Sequence, residues 1–505
     1  MKKHYFLSLN EKILFLIIIV LFLFTRLFNL SLLPVFCDEA IYIRWAQIIK
    51  SVPELKFISL SDGKQPLFMW LMVPFLKIFP DPLFGGRMVS VFSGLISLIG
   101  VFFLSLLIFN SKRSAFFASL IYIVLPYTLF FDRMALVDSL LMALGIWVLI
   151  FGILVVKTLK LKWAIIGGFV LGLSLLTKSP ALFFVFLLFI VGILVEKANF
   201  KIFLRMGFLL MIFVGIGVGI YNLLRLSPSF YMINLRNKDY IFSFKEILLH
   251  PHDPLLVHLK DITDWFPNLF TWPILSLSIL GFFWGMIKKP KETLVLGSWC
   301  LLPLIIQSFI AKVFNSRYLL FTIFPLIIFG GFFLERILGF FKRLGFIKII
   351  LVLLIFFPAL KYDFFILTSP AKAPLTTEMR RGYLSDWTSG WGIKEVKDYL
   401  KDVLKKEKEI VVGTEGFWGT LPDGLQIYFD KEPRIKIIGV GLDFKEIPQP
   451  LKEAFLNKTP TFLVGNQSRL GVNDKEGKEL ELIFKIPKPV SPEGSQDYFL
   501  FYRLK

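Results

Sequence analysis

Asp38 and Glu39 stand side by side directly after the first long apolar run of the chain, at the start of an amphipathic segment. A carboxylate where a hydrophobic helix ends keeps access to water, while the hydrocarbon beside it raises the cost of ionisation; the pair is therefore a candidate base. The plainer alternative is that Asp38 caps the helix that follows, since Asp is a preferred residue there. Charged groups with the right chemistry recur further along: Lys64 in Ser61-Asp62-Gly63-Lys64-Gln65-Pro66, Arg133 and Asp138 flanking one turn, and Arg317 in Ser316-Arg317-Tyr318. A guanidinium can grip two phosphate oxygens at once, whereas an ammonium acts as a point charge. Each of these also has a structural alternative: an interface lysine reaching for water, a helix-end anchor, or an ion pair between Arg133 and Asp138. His250-Pro251-His252-Asp253 has the donor types for a divalent cation, but two histidines around a proline make a poor cage without further ligands. No other cofactor is indicated. Lys178, at the mouth of a turn, reads equally as a topological marker and as a ligand.

The elements that must position these residues are set by composition. Of 505 residues 56% are hydrophobic, well above the roughly half-apolar make-up of soluble domains, which makes this an integral membrane protein. Its net charge of +20 would suggest nucleic acid in a soluble protein. Here the Lys and Arg residues sit in short loops between apolar runs and read as topology signals, so no nucleic-acid partner is expected. Cys37 and Cys300 show no paired spacing and read as buried thiols.

Apolar stretches of membrane-spanning length fall at 13–33, 83–109, 115–131, 139–156, 163–177, 180–195, 203–223, 268–287, 293–310, 318–334 and 346–367, giving about eleven transmembrane helices. The first is expected to be a retained anchor, and with the N-terminus in the cytoplasm the basic loops 1–12, 110–114, 157–162, 196–205, 288–292 and 335–345 all fall inside. The turns carrying the candidate chemistry then share the outer face of the plasma membrane. The first outer loop, 34–82, contains two segments that read as helices lying along the interface, 40–50 and 66–79. Glycine triplets within spans, Gly167, Gly168 and Gly172 and then Gly215, Gly217 and Gly219, read as close helix packing. After about 370 the pattern becomes charged and alternating, with a helix over 392–406 and strands at 409–414, 425–429, 434–440, 461–464, 480–486 and 498–504. The expected organisation is a polytopic α-helical membrane domain, 1–369, and an extracytoplasmic soluble α/β domain, 370–505.

The ordered set of an Asp-Glu opening the first outer loop, the Gly63-Lys64-Gln65-Pro66-Leu67-Phe68-Met69-Trp70 stretch, Phe131-Asp132-Arg133-Met134-Ala135-Leu136-Val137-Asp138-Ser139, and Ser316-Arg317-Tyr318 resembles the prokaryotic members of the protein O-mannosyltransferase and lipid A aminoarabinose transferase group, in the C-type superfold of membrane glycosyltransferases. The tail, with Asp386-Trp387-Thr388-Ser389-Gly390-Trp391-Gly392 and Gly413-Thr414-Glu415-Gly416, resembles the extracytoplasmic domain of bacterial members. The resemblance implies a dolichyl-phosphate-mannose-protein mannosyltransferase-like enzyme. It would move a hexosyl or pentosyl unit, with inversion, from an undecaprenyl- or dolichyl-phosphate donor to a protein, lipid or glycan hydroxyl. It implies Asp38 as general base and Glu39 orienting acceptor or sugar. Lys64, Arg317 and Arg133 would bind the donor phosphate, and Asp138 and Tyr318 would position donor or acceptor. Gln65 departs from the group's Lys-Pro-Pro segment. The competing class is a lipid-linked sugar flippase or transporter, but transporters place their polar groups inside spans near the midplane.

Overall fold

The computed structural model describes residues 7–195, 199–250, 252–341, 345–444, 446–471 and 479–505. The rest of the chain, including 1–6, 196–198 and 342–344 of three expected basic loops and Pro251 of the histidine motif, lies outside the described residues.

All eleven predicted apolar stretches fall on helices. Among the described residues five helices are long and apolar enough to cross a membrane: Pro82–Phe109, Val137–Thr158, Phe200–Leu226, Pro290–Ile310 and Gly345–Thr368. The number rises to seven if each sharply bent pair, Asp253–Phe270 with Trp272–Lys288 and Ser316–Thr322 with Phe324–Phe340, is one span. The expected eleven spans exceed this count for local reasons. The Leu9–Leu27 helix carries Glu11, Lys12 and Arg26; the Lys112–Val124 and Pro126–Phe131 helices are separated at Leu125, before a proline; Leu161–Leu175 and Ser179–Leu194 are shorter than a full span. Both segments expected along the interface are helical, at Cys37–Ser51 and Leu67–Ile78.

The chain divides into two compact units. The first holds Met1–Asn29, Lys56–Phe68 and Met88–Ser369; the second holds Leu30–Leu55, Met69–Arg87 and Pro370–Lys505. Most of the first outer loop thus groups with the C-terminal part of the chain.

In the first unit small residues let helices approach. A Cβ on Gly168 would lie 2.7 Å from the Phe213 carbonyl oxygen, and one on Gly172 or Gly217 would strike Ile220 or Leu171. Gly215 and Gly219, expected to pack in the same way, have nothing within 4 Å of a Cβ. Arg26 is fully buried and lies 3.4 Å from Asp132, which also accepts from Tyr122 at 3.1 Å and Ser139 at 3.1 Å. Arg26 further donates to the carbonyls of Tyr122 and Ile123. Charged groups at such depth are tolerated because every neighbour answers them.

The second unit is built on a five-stranded sheet: β1 (Ile410–Glu415), β2 (Ile435–Gly441), β3 (Thr461–Asn466), β4 (Leu480–Pro487) and β5 (Tyr498–Leu504), ordered β2-β1-β3-β5-β4. β1 pairs parallel to β2 and β3, while β5 runs antiparallel to β3 and β4. β1 and β3 are buried along their whole length because the sheet is covered on both faces. The Gln449–Leu456 helix packs Leu451 against Val411, Leu463 and Tyr502 on one face. On the other, Tyr399 of the Ile393–Val403 helix meets Phe462, Phe484 and Phe501 edge-on. The strand expected at 425–429 does not form. Its place is a helical turn, Asp423–Gln426, whose Gln426 side chain donates to the Ile437 carbonyl of β2.

Candidate functional site

In the first unit, the candidate cations are brought together by a glycine. Gly63 has φ +69°, and a Cβ there would lie 2.8 Å from the Met232 carbonyl oxygen and 2.9 Å from the Arg236 side chain. Only glycine lets this turn close onto the Met232–Tyr240 helix, where Asp62 and Arg236 form an ion pair at 2.7 Å. Lys64 then donates to the Tyr240 hydroxyl at 2.8 Å and lies 4.6 Å from its ring centre. Gln65 donates to Ser179 Oγ at 3.0 Å, which ties the Lys64 turn to the residue beside Lys178.

Lys178 is the centre of the second half of the cluster. Its Nζ donates to Asp138 Oδ1 at 2.7 Å and sits 4.0 Å from the centre of the Tyr318 ring. The Arg317 guanidinium lies 5.0 Å from the same centre and donates to the Tyr318 hydroxyl at 3.2 Å. Two cations thus lie within about 5 Å of the Tyr318 ring centre, an arrangement favoured by the negative face of an aromatic ring. Arg317 is held in place from behind, where the buried Tyr127 hydroxyl donates to the Ser316 carbonyl. Lys178, Arg317 and Tyr318 with Asp138 form one cluster, and Lys64 is linked to it through Gln65 and Ser179. The sequence marked Lys178 only as a lysine at a turn; it became legible as a ligand once the Asp138 carboxylate faced it.

Arg133 is corrected. Rather than facing a ligand, it donates to the carbonyls of Thr25 (3.0 Å), Arg26 (2.8 Å), Phe28 (2.7 Å) and Asn29 (2.9 Å), and only 5% of it is exposed. These are the carbonyls that the end of the Leu9–Leu27 helix leaves unpaired, and a cation there also suits the helix dipole. Arg133 is a cap. The ion pair considered for Arg133 and Asp138 is replaced by Asp138 with Lys178.

The acidic pair belongs to the second unit. Its helix, Cys37–Ser51, starts after Phe36, whose N–H donates to Glu39 Oε2 at 3.0 Å. The capping role therefore falls to Glu39 and not to Asp38. Glu39 is fully buried, and Arg87 forks onto both of its oxygens at 2.8 Å each. Arg87, itself fully buried, donates in addition to the carbonyls of Leu30, Leu33 and Pro34 at 2.8, 2.9 and 3.0 Å. Glu39, expected to orient acceptor or sugar, is corrected to a residue that holds the loop, because its carboxylate is enclosed and engaged. Asp38 lies in the first turn of the helix and is half-buried. Sequence reasoning missed Arg87. Its signal was a lone arginine within an apolar run.

The segment before Asp38 is held by residues far along the chain. Phe36 and Ser389 form an antiparallel bridge, Cys37 N–H donates to the Thr388 carbonyl, and Gly390 N–H donates to the Val35 carbonyl. Lys488, 1% exposed, fastens the other side of that strand by donating to the carbonyls of Asp386 at 2.9 Å and Ser389 at 3.0 Å. Its burial pushes the ammonium down to about 8. Further along the Cys37–Ser51 helix, Arg44 and Lys50 both reach Asp430, and Gln47 donates to the Ile427 carbonyl.

Among the described residues no group of three or more His, Cys, Asp or Glu side chains is arranged to hold a metal ion, so His250, His252 and Asp253 do not make the cation site their types suggested. His250 instead closes the Phe244–Leu249 helix, donating its N–H to the Glu246 carbonyl. Cys37 and Cys300 are both buried and form no disulfide, as read from their spacing.

Comparison with known proteins agrees with this architecture. Residues 63–221 match the dolichyl-phosphate-mannose-protein mannosyltransferase family. No curated protein matches by sequence. Among solved structures, ArnT from Cupriavidus metallidurans bound to undecaprenyl phosphate is similar at 14% identity and TM-score 0.60, and its apo state at 14% and 0.57, each over 97% of both chains. The apo oligosaccharyltransferase of Archaeoglobus fulgidus is similar at 12% identity and TM-score 0.52, over 98% of this chain and 74% of that one. The chain is a membrane protein with the fold of ArnT, and its residues 63–221 match the dolichyl-phosphate-mannose-protein mannosyltransferase model.

Proposed function

We propose that the protein transfers a sugar from a polyprenyl-phosphate donor to an acceptor hydroxyl at the outer face of the cell membrane, with inversion at the anomeric carbon. The observation that carries this reading is the cationic cluster of Lys178 and Arg317 around Tyr318, with Lys64 linked to it through Gln65 and Ser179. A sugar bound to a lipid monophosphate leaves as a phosphate dianion, so its departure needs fixed positive charge. One carboxylate, Asp138, tempers the cluster and orients Lys178. The similar ArnT structure was solved with undecaprenyl phosphate, which has the charge and the lipid tail this cluster suits.

In the reaction, Asp38 accepts the proton of the acceptor hydroxyl as its oxygen forms a bond to the anomeric carbon. The bond from that carbon to the phosphate oxygen breaks, and Lys64, Lys178 and Arg317 take up the charge that gathers on the leaving phosphate. Glu39 and Arg87 act only by keeping the Asp38 loop in shape. The N-terminus lies in the cytoplasm and residues 370–505 outside, the arrangement favoured by the basic loops. The flippase alternative lacks an observation in its favour, since the candidate groups sit at helix ends and turns.

Reconstituted protein supplied with undecaprenyl- and dolichyl-phosphate sugars should release the free lipid phosphate and a glycosylated acceptor, followed by mass spectrometry. Asp38→Asn should cut turnover by at least about a hundredfold, the lower range for loss of a positioned base. Full turnover in that variant would remove Asp38 from the mechanism. Export of an intact lipid-linked sugar without cleavage would replace the transferase by a flippase.

A further inference from the structure

The carboxyl ends of the parallel strands in the second unit carry a feature that the transfer reaction does not use. The chain leaves β1 for β2 on one side and returns to β3 on the other, so the ends of β1 and β3 form a topological switch point. Crevices at such points are where open α/β sheets bind ligands. At this one, Glu415 closes β1 and Asn466 closes β3, with the Asn466 backbone N–H and side-chain amide donating to Glu415 at 2.5 and 2.6 Å. The Asn466 Oδ1 atom has no partner, although the residue is fully buried.

Three more buried atoms of the same unit lack a partner. Among the described residues of this unit, the buried side-chain atoms without a hydrogen-bond partner are Ser389 Oγ, Thr420 Oγ1, Asn466 Oδ1 and Gln467 Oε1. The contacts between their neighbours close a ring. The Arg469 guanidinium lies 3.9 Å from Glu415 and 4.0 Å from the centre of the Trp387 ring, two residues before Ser389. A Cβ on Gly419, directly before Thr420, would lie 3.6 Å from Trp387 and 3.1 Å from the Cys37 thiol. Each buried polar atom left unpaired costs about 1–3 kcal/mol, so four in one unit, on residues next to this ring of contacts, call for an occupant. At the rim, the loop after β1 turns through Gly416 and Gly419, with φ +69° and +105°, and holds Phe417 and Trp418 at 71% and 65% exposure.

We propose that this crevice binds a saccharide, the acceptor end of the substrate, with Trp418 stacking on a sugar ring and the orphan hydroxyls and amides meeting its hydroxyl groups. Hydroxyls that donate and accept suit Ser389, Thr420, Asn466 and Gln467 together, and an aromatic face suits the C–H face of a pyranose. A strongly ionic ligand suits it less, because Glu415 and Arg469 already face each other. The role as acceptor site rests on the transferase reading; the binding itself does not.

The test is saturation-transfer NMR on the full chain in detergent, without donor lipid, using mannose, glucose, galactose and their disaccharides as probes. Signal should pass to the ring protons of at least one sugar. Trp418→Ala should weaken that binding tenfold or more, and Thr420→Val should weaken it severalfold without lowering the melting temperature, since the hydroxyl it removes has no partner. Failure of every sugar to bind, or affinity unchanged in both variants, overturns the proposal. So does a Trp418→Ala variant that loses partition onto phosphatidylglycerol vesicles while sugar signals stay absent, which would make the loop a membrane contact. Sugar binding without transfer from any polyprenyl-phosphate donor sinks the transferase reading and leaves the crevice a saccharide site.

Discussion

Replacing Arg87 by methionine is the sharpest test of how the Asp38 loop is built. The guanidinium makes two bonds to Glu39 and three to the Leu30, Leu33 and Pro34 carbonyls, all between 2.8 and 3.0 Å, and both ion-pair partners are fully buried. Methionine fills much of the volume but leaves the Glu39 carboxylate buried without its counter-charge. Breaking a buried pair from one side costs about 3–5 kcal/mol. That is a fifth or more of the stability of an ordinary domain, about 5–15 kcal/mol. Hydrogen exchange on the full chain in detergent should show the Cys37–Ser51 helix losing about two to three and a half orders of magnitude of protection, the same free energy expressed as a local opening constant. Arg87→Lys should recover little, because an ammonium cannot span both carboxylate oxygens and three carbonyls. Adding Glu39→Gln to Arg87→Met should restore part of the loss by removing the unpaired charge, giving a coupling free energy of about 0.5–3 kcal/mol. Unchanged protection of residues 37–51 in Arg87→Met would refute the argument that this pair holds the loop.

Three further outcomes follow from the same structure. Arg133→Gln should lower thermal stability by about 2 kcal/mol or more through the exposed carbonyls of the Leu9–Leu27 helix, while binding of undecaprenyl phosphate in the folded fraction stays unchanged, which a titration of binding against melting temperature separates. Gly63→Ala should cost about 1–2 kcal/mol in the left-handed turn and raise the KM for donor lipid more than it lowers kcat, because it displaces Lys64 from Tyr240. Lys488, whose ammonium is pushed down to about 8, should make the second unit more stable as pH rises from about 8 towards the ordinary lysine range. In that window the unfolded chain binds the proton and the folded one does not, so unfolding takes up a proton and is disfavoured by raising the pH. A melt of Lys488→Met across pH 7.5–10.5 should lack this rise.

Much of the fold was legible because apolar length and alternation act locally. The eleven apolar stretches are helices, and five of the six expected strands form, since each is decided by its own residues. The stretch at 425–429 alternates like a strand but becomes a turn, because the β1–β2 crossover needs chain there and Gln426 caps onto Ile437. The site was legible in kind but not in pairing. Lys64, Arg317 and Tyr318 were singled out by type, but Asp138 had two cations to choose from in sequence and took Lys178, 40 residues on, over nearby Arg133. Arg26 and Arg87 stood in plain view as charges within apolar runs. Their partners, Asp132 and Glu39, are fixed only by packing over long separations.

The bridge from Phe36 to Ser389 joins segments made early and late in the chain's synthesis. Residues 388–390, and later Lys488, must exist before the loop that carries Asp38 has its neighbours, and a chain is made from its N-terminus at a modest pace. Throughout elongation the loop that carries Asp38 lacks these neighbours. It takes its final shape only when the last strands of the sheet are in place.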